Sequence, residues 1–574
     1  MKESDLVRHL SSARDSLEAA TEEVETAGTL FFAPKHSDAV ASASSLLEVS
    51  LVSLAKARVN TTSKCPLQHC EPILDNPFFL CALALLLKAR LKHIQNEFSD
   101  SLALLEQAAS VFPFSARVWS ALGNARRIAA SSHTHLNNTE HAFKEAIKVA
   151  DKLRSQLDEK LSRSKGRARQ QNQVTHGHVE RDEDDEDNEG EEEDDWLLDP
   201  NIESEINAGT DAANALILLL LQNDRPHDAS PLLASQGYKF RLSDNVLAYN
   251  FSIPHGPWRL HDIPFVKAVD NALPPSALTY LQTAFAPSSV FWREHFYGPD
   301  TPYFSYTHPL AAPSPRSSAM DQLLQYLHSL ASRLFPRVQY AQAAEWWVHT
   351  RAHSAGHQLH FDSAHEGAHS NSKKRKRKAP VHPIASCVVY LSEDVGGPTL
   401  VTNQRLGDPL ADRGWMVESR LNRVVMFDGS VLHGVVPGRG YCERGAREDA
   451  RRTSFMVAFW EEEDIQASQD NTPGSARPFP YESEHYTWSA LHAAKTPEHW
   501  PGPVPDELQY VIPMPLDKVW EAIPETQSGE EGASTMTGGK EAVSLEEISE
   551  ETLELRYSRS KLGLPNYNLV FQGF

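Results

Sequence analysis

His360 and Asp362 stand one residue apart, and His433 follows far downstream. Residues two apart on a strand project to one face, so this spacing brings an imidazole and a carboxylate together, and the second histidine must arrive from another strand. Two imidazoles and a carboxylate can hold one face of an octahedral Fe(II), leaving three positions for an organic acid and dioxygen. The His-x-Asp pattern alone is weak in a chain of 26 histidines, and a second copy, His36-Ser37-Asp38, lies in a helical pattern and reads as chance. The company of His360 gives it weight. Asn422–Asp428 reads as a strand with His433 just after it, and a further strand opens on Arg452-Thr453-Ser454. Arg452 and Ser454 share a face there, so a guanidinium and a hydroxyl can grip one carboxylate, whereas Arg451 faces the other way. Arg439, Arg444 and Arg447 are competitors for that role. Tyr390, ahead of Gly396-Gly397, is either a hydrogen-bonding partner of the same acid or a core tyrosine. Trp346 and Trp347 read as packing, and most of His349, His353, His357 and His365 as non-ligands, because three ligands suffice.

The elements that position these residues form an α-then-β order. Residues 1–151 carry apolar residues at three- and four-residue spacing. Within them Leu105, Ala108, Pro113, Trp119, Leu122, Gly123, Phe143 and Ala146 follow an order that resembles the tetratricopeptide repeat, with a helical bundle without repeats as the alternative. Residues 152–200, basic and then acidic, read as an unfolded insertion. Residues 201–241 return to the helical pattern as the last helical pair of that domain, with Gly237 placed as a C-cap. From 242 to 470 prolines, aromatics and short β-rich runs appear (EWWVHTRA, IASCVVYL, GPTLVT, NRVVMFDG, TSFMVAFW), preceded by helical stretches at Pro274–Phe285 and Ala319–Phe335. Residues 471–524 form a proline-rich extension and 525–574 an acidic, disordered tail, whose closing LPNYNLVFQGF has no assigned role.

Four ordered blocks, GHQLHFD, VVYLSEDVGGPTLV, NRVVMFDGSVLHGVVPG and RRTSFMVAFW, make the segment from Val266 to Trp460 resemble the Fe(II)/2-oxoglutarate-dependent dioxygenases, most of all their prolyl 4-hydroxylase-like branch. The resemblance implies a double-stranded β-helix (jelly-roll) domain after the helical repeats. It also implies iron ligands His360, Asp362 and His433, and an Arg452 that binds the distal carboxylate of 2-oxoglutarate with Ser454 assisting and Tyr390 nearby. The resemblance further implies dioxygen as the oxidant, with ascorbate as an accessory reductant of the kind such enzymes can use. One departure stands out: that branch usually places a lysine soon after the distal histidine, where this chain has Arg452 on the following strand. The implied reaction hydroxylates a residue, prolyl favoured, of an intracellular protein or peptide and releases succinate and carbon dioxide. The other readings are a nucleic-acid or chromatin oxygenase and a repeat scaffold whose barrel is inactive.

Composition narrows the partners. The 574 residues carry a formal charge of −22. Asp182–Asp195 holds 12 acidic residues and Glu525–Glu554 holds 9 against Lys540, so the remainder is near neutral. A globally basic nucleic-acid face is therefore not expected. The longest apolar runs, Phe78–Leu87 and Ala215–Leu221, fall short of the ~20 residues that cross a bilayer, and no signal-peptide pattern opens the sequence. Five cysteines, Cys65, Cys70, Cys81, Cys387 and Cys442, point to free thiols in a reducing compartment. The expectation is a cytoplasmic or nuclear protein with no membrane partner, in which the basic run Lys373–Lys378 serves as an import signal, an electropositive lip or a solvated loop.

Overall fold

A computed structural model describes residues 3–29, 33–57, 59, 76–95, 97–174, 200–251, 263–295, 305–310, 318–363, 381–393, 395–406, 408–442, 451–461, 476–479, 487–488, 500–523 and 570–573. The acidic block 182–195, the basic run 373–378 and His365 lie outside the described residues. The chain divides into two compact units that part between Leu216 and Ile217.

The first unit is helical: α1 (Glu3–Thr29), α2 (Ala33–Lys56), α3 (Pro77–Ile94), α4 (Phe98–Val111), α5 (Ala116–Ile128), α6 (His133–Val174) and most of α7 (Pro200–Gln222). Local chemistry sets the boundaries. Asn76 caps α3 through the amides of Phe78 and Phe79, with Pro77 in the first turn, and the Ser115 hydroxyl caps α5 at Val118 N. Apolar stripes from α1 to α6 meet in one core that includes Leu17, Leu47, Phe79, Leu83, Phe112 and Leu122. By length and composition Ser37–Lys56 of α2 would suffice to cross a membrane; its Ala39, Ala43, Leu47 and Leu54 are buried in this core. Helices α5 and α6 approach so closely that a Cβ on Gly123 would lie 2.4 Å from the Phe143 ring. The buried Glu205 of α7 accepts hydrogen bonds from Ser115 Oγ (2.9 Å) and Arg117 Nε (2.8 Å).

Two expectations change here. Helix α6 runs to Val174, into the stretch assigned to an unfolded insertion. It is a polar helix, laced by pairs such as Arg163–Glu159 at 2.6 Å, and carries no apolar period to reveal it. Nor does the pair after residue 200 belong wholly to the helical unit. The last turns of α7 fall in the second unit, where Gln222 Nε2 donates to Pro437 O at 2.9 Å.

The second unit continues with α8 (Pro226–Ser235), β1 (Phe240–Leu242), α9 (Asp244–Leu247), β2 (Val266–Asp270), α10 (Pro275–Ala284), α11 (Val290–His295), β3 (Ser305–Pro309), α12 (Ala319–Leu334), β4 (Ala343–Ala352), β5 (His357–His360), β6 (Ala385–Tyr390), β7 (Thr399–Arg405), β8 (Gly414–Val417), β9 (Val424–Asp428), β10 (Val431–Val435) and β11 (Arg451–Trp460). It closes with β12 (Ala476–Pro478), β13 (Gln509–Val511), β14 (Met514–Leu516), β15 (Trp520–Ala522) and β16 (Val570–Phe571). Gly237 ends α8 as expected: at φ +76° it lets Tyr238 N reach Leu233 O and its own N–H reach Ala234 O, a Schellman turn.

Eight strands pair in the order β12-β3-β4-β11-β6-β9-β2-β13, five in the order β14-β8-β7-β10-β5, and three in the order β15-β1-β16. Only β12–β3 and β1–β16 are parallel among these pairs. Strand β11, buried along all ten residues, runs between β4 and β6. Val266, Tyr390, Val425 and Phe427 of the eight-stranded sheet share a core with Val401, Trp415, Val417 and Val431 of the five-stranded sheet, so the two sheets face each other. On the outer face of the larger sheet, Phe285 from the end of α10 stacks on Phe455 at 5.9 Å and meets Trp346 at 6.0 Å. The unit is thus mixed helix and sheet. The regions read as an extension and a tail supply β12 to β16, strands of two or three residues that are too short to show an alternation.

Candidate functional site

The pocket between the two sheets is built on strand register. His360 and His433 are direct partners across the antiparallel β5–β10 pair, so their side chains share the inner face, with ring centroids 4.4 Å apart. Asp362 lies just past the end of β5, its Oδ1 3.6 Å from His360 Nε2 and 3.6 Å from His433 Nε2. The ligand atoms of all three lie within 4.8 Å of one another, the one such cluster of three among the described residues. His36-Ser37-Asp38 falls in α2, a helix rather than a strand.

Hydrogen bonds set the rings. His360 Nδ1 meets Gln358 O at 2.8 Å, and His433 Nδ1 meets Val431 O at 3.0 Å. A carbonyl can only accept, so each Nδ1 carries a proton and each Nε2 is turned toward Asp362, where the neutral ring presents its lone pair. Burial pushes His433 down to about 4, against the pull of Asp362. Burial alone would raise the Asp362 carboxyl; His433, His360 and the Ser386 hydroxyl, 2.5 Å from Oδ2, outweigh it and hold the group well below the usual carboxylate range. At neutral pH the cluster therefore holds a neutral His433 imidazole and an ionised Asp362 carboxylate.

The facing wall comes from β4, β11 and β6. Arg452 and Ser454 project into the pocket, and Arg451 takes the opposite face, where Nε donates to Thr350 Oγ1 at 3.1 Å. Arg452 is 4% exposed. Its Nη1 donates to Gly397 O at 3.1 Å, while its Nε is buried without a hydrogen-bond partner. Burial lowers the guanidinium to about 10, and it stays charged at neutral pH. The Gly396-Gly397 pair makes this bay: a Cβ on Gly396, at φ +87°, would lie 2.7 Å from Arg452 Cδ, and one on Gly397 would lie 2.0 Å from Val436 O. Arg439 is spent elsewhere, on Gln222 O, Ala248 O, Tyr249 O and Asp224. Arg444 and Arg447 lie outside the described residues.

Tyr390 is a direct partner of Ser454 across β6–β11; it is buried, faces the pocket and shares a 2.6 Å hydrogen bond with Thr399 Oγ1. It also belongs to the inter-sheet core, which is the core reading of this tyrosine. The tryptophans divide by alternation. Trp346 packs outward, its Nε1 donating to His308 Nε2 at 2.9 Å, whereas Trp347 lines the pocket. His353 holds a loop, accepting from Gly396 N through Nδ1 at 3.0 Å.

Arg351 is not singled out in the sequence, and His349 and His357, read there as non-ligands, line the pocket as well. Arg351 and His349 are the cross-strand partners of Arg452 and Ser454, and His357 stacks on His360 with centroids 4.5 Å apart. Burial drives both His349 and His357 well below the usual imidazole range, leaving them neutral. Their signal is the β4–β11 and β5–β10 register, which only the paired strands contain.

No family model matches the chain, and no curated protein sequence matches it. Among solved structures, HygX from Streptomyces hygroscopicus with iron bound is 14% identical, with a TM-score of 0.20 over 38% of this chain and 94% of that one. HygX with nickel and 2-oxoglutarate bound gives 14% identity and a TM-score of 0.20 over 37% of this chain and 94% of that one.

Proposed function

We propose that this chain is an Fe(II)- and 2-oxoglutarate-dependent dioxygenase that hydroxylates a residue, prolyl favoured, of a protein. The observation that carries the reading is one pocket with two complementary grips. One wall offers two Nε2 lone pairs and a carboxylate; the other offers a buried Arg452 whose Nε lacks a partner. The donor set suits Fe(II), and an orphaned guanidinium N–H in a buried bay suits a carboxylate. His360, Asp362 and His433 would hold the metal, and Arg452 with Ser454 the distal carboxylate of 2-oxoglutarate. Iron bound there supplies dioxygen activation, coupled to conversion of 2-oxoglutarate into succinate and carbon dioxide.

The chain's own residues do the rest. Gln358 and Val431 keep each imidazole proton on Nδ1, and Ser386 fixes the carboxylate. Met456, Val388 and Phe427 line the pocket and exclude water. Two facing sheets with the cluster between them support a double-stranded β-helix, and the tight α5–α6 hairpin supports a tetratricopeptide-like first unit. Such repeats suit peptide surfaces, which favours a protein substrate over nucleic acid. A cytoplasmic or nuclear location belongs to the same proposal.

The test is succinate formation from 2-oxoglutarate with Fe(II), ascorbate and a cell-extract peptide pool, for the wild type beside His360→Ala. Succinate from the wild type alone is expected. Silence in both, together with no metal-dependent 2-oxoglutarate binding, overturns the proposal in favour of a scaffold.

A further inference from the structure

The segment left without a role by the sequence comes back to the strand that carries His360. β16 runs parallel to β1 with Phe571 opposite Arg241. Phe571 is buried at 2% exposure, its ring 5.4 Å from Tyr238, the residue that closes the Schellman turn of α8. One residue on, the buried Gln572 accepts a hydrogen bond on Oε1 from Leu359 N at 3.1 Å. Gly573 follows at φ +85°, where a Cβ would lie 3.0 Å from Leu218 Cδ1.

The position of Leu359 gives this bond its consequence. Backbone N–H groups of successive strand residues point to alternate edges. The Leu359 N–H reaches Gln572, and β5 is the last strand in the order of its sheet, so this N–H points away from β10 to the outer edge. Leu359 is fully buried, and a buried N–H needs an acceptor. Gln572 supplies one. The same short strand carries both the His360 ring and Gln358 O, which holds the proton of that ring, so slack in β5 displaces the ligand and its orienting acceptor together.

We propose that residues 570–573 form a clamp, anchored by Phe571 and tipped by Gln572, that fixes β5 and thereby positions His360 for a divalent metal. The proposal rests on the metal-binding reading above. Gln572 is a positioning residue: it acts through Leu359 and β5.

The experiment compares the full chain with Gln572→Ala, Gln572→Glu and a variant lacking residues 570–574. Amide exchange at Leu359 is followed in metal-free protein, and Co(II) affinity by absorption titration. In Gln572→Ala and in the truncated variant Leu359 should exchange about tenfold faster, and Co(II) should bind about tenfold more weakly, the scale of losing an outer partner of a ligand. Gln572→Glu, which keeps an acceptor oxygen, should restore both. Should the truncated variant fail to fold, Gln572→Ala alone decides. Faster exchange without weaker Co(II) binding, or a lowered melting temperature with both unchanged, overturns the positioning role. If the wild type binds no Co(II), the metal reading falls by itself; protection of Leu359 that Gln572→Ala removes would still uphold the contact, and an unprotected Leu359 would refute it.

Discussion

Replacing Arg452 by methionine tests the pocket most directly, because binding should fall while stability does not. The guanidinium is buried, makes one hydrogen bond to Gly397 O and leaves Nε without a partner. A carboxylate arriving in the bay would gain two charge-assisted hydrogen bonds, each worth roughly 1.5–3 kcal/mol. Taking the lower end, because the free pocket already bears part of the desolvation, the loss is about 3 kcal/mol, or roughly 150-fold in 2-oxoglutarate affinity. The metal-free protein should not lose stability, since methionine keeps the apolar stem and removes a buried charge whose Nε lacks a partner. Arg451→Met is the control: its side chain bonds to Thr350 on the other face and should leave affinity within about threefold. The assay is calorimetric titration of 2-oxoglutarate in the presence of Mn(II) under nitrogen, with melting temperatures alongside. Affinity unchanged in Arg452→Met, or lost equally in Arg451→Met, would refute the assignment of the carboxylate to this bay.

Three further outcomes follow from the same geometry. Ser386→Ala removes the 2.5 Å hydrogen bond to Asp362 Oδ2 and should weaken Co(II) binding by roughly 10–100-fold with little change in melting temperature; an unchanged affinity would show that Asp362 needs no such support. Glu345 is pushed up to about 7, chiefly by burial. A carboxyl raised in the folded state contributes stability below its unfolded value near 4.5, and that stability is lost as pH rises through about 7, a change of roughly 3 kcal/mol. Melting temperatures across that window should fall for the wild type and stay flatter for Glu345→Gln; an equal slope would place the titration elsewhere. Gly123→Val forces a side chain against the Phe143 ring, 2.4 Å from the first added atom, and should destabilise the helical unit by about 1–3 kcal/mol in urea unfolding, whereas an unchanged midpoint would mean that α5 and α6 pack loosely.

How far the sequence could be read depended on where the information sits. The inward set Arg452 and Ser454 follows from alternation along one strand, as does the outward turn of Arg451. The triad is legible for the same reason, His-x-Asp being a statement about a single strand end. Arg351, His349 and His357 are not legible in this way, since what brings them to the pocket is the pairing of β4 with β11 and of β5 with β10, a relation between distant segments. Length limits the reading at the other end. Gln509–Val511 and Val570–Phe571 are too short to carry a period, and the polar continuation of α6 has no apolar stripe to show.

The strand orders also bear on how the protein is made. β13 closes on β2, β14 on β8, and β15 and β16 on β1, joining segments more than a hundred residues apart in every case except β14, which reaches back about that far. Hydrophobic strands such as β11 leave the ribosome well before the partners that finish their sheets. Folding of this unit is therefore governed by loop closure rather than by local propensity, and stays slow and aggregation-exposed until residues beyond 508 have emerged. Expression at low temperature, or slowed release of the nascent chain, should raise the soluble yield of the sheet unit more than that of the helical unit, whose contacts are largely between neighbouring helices.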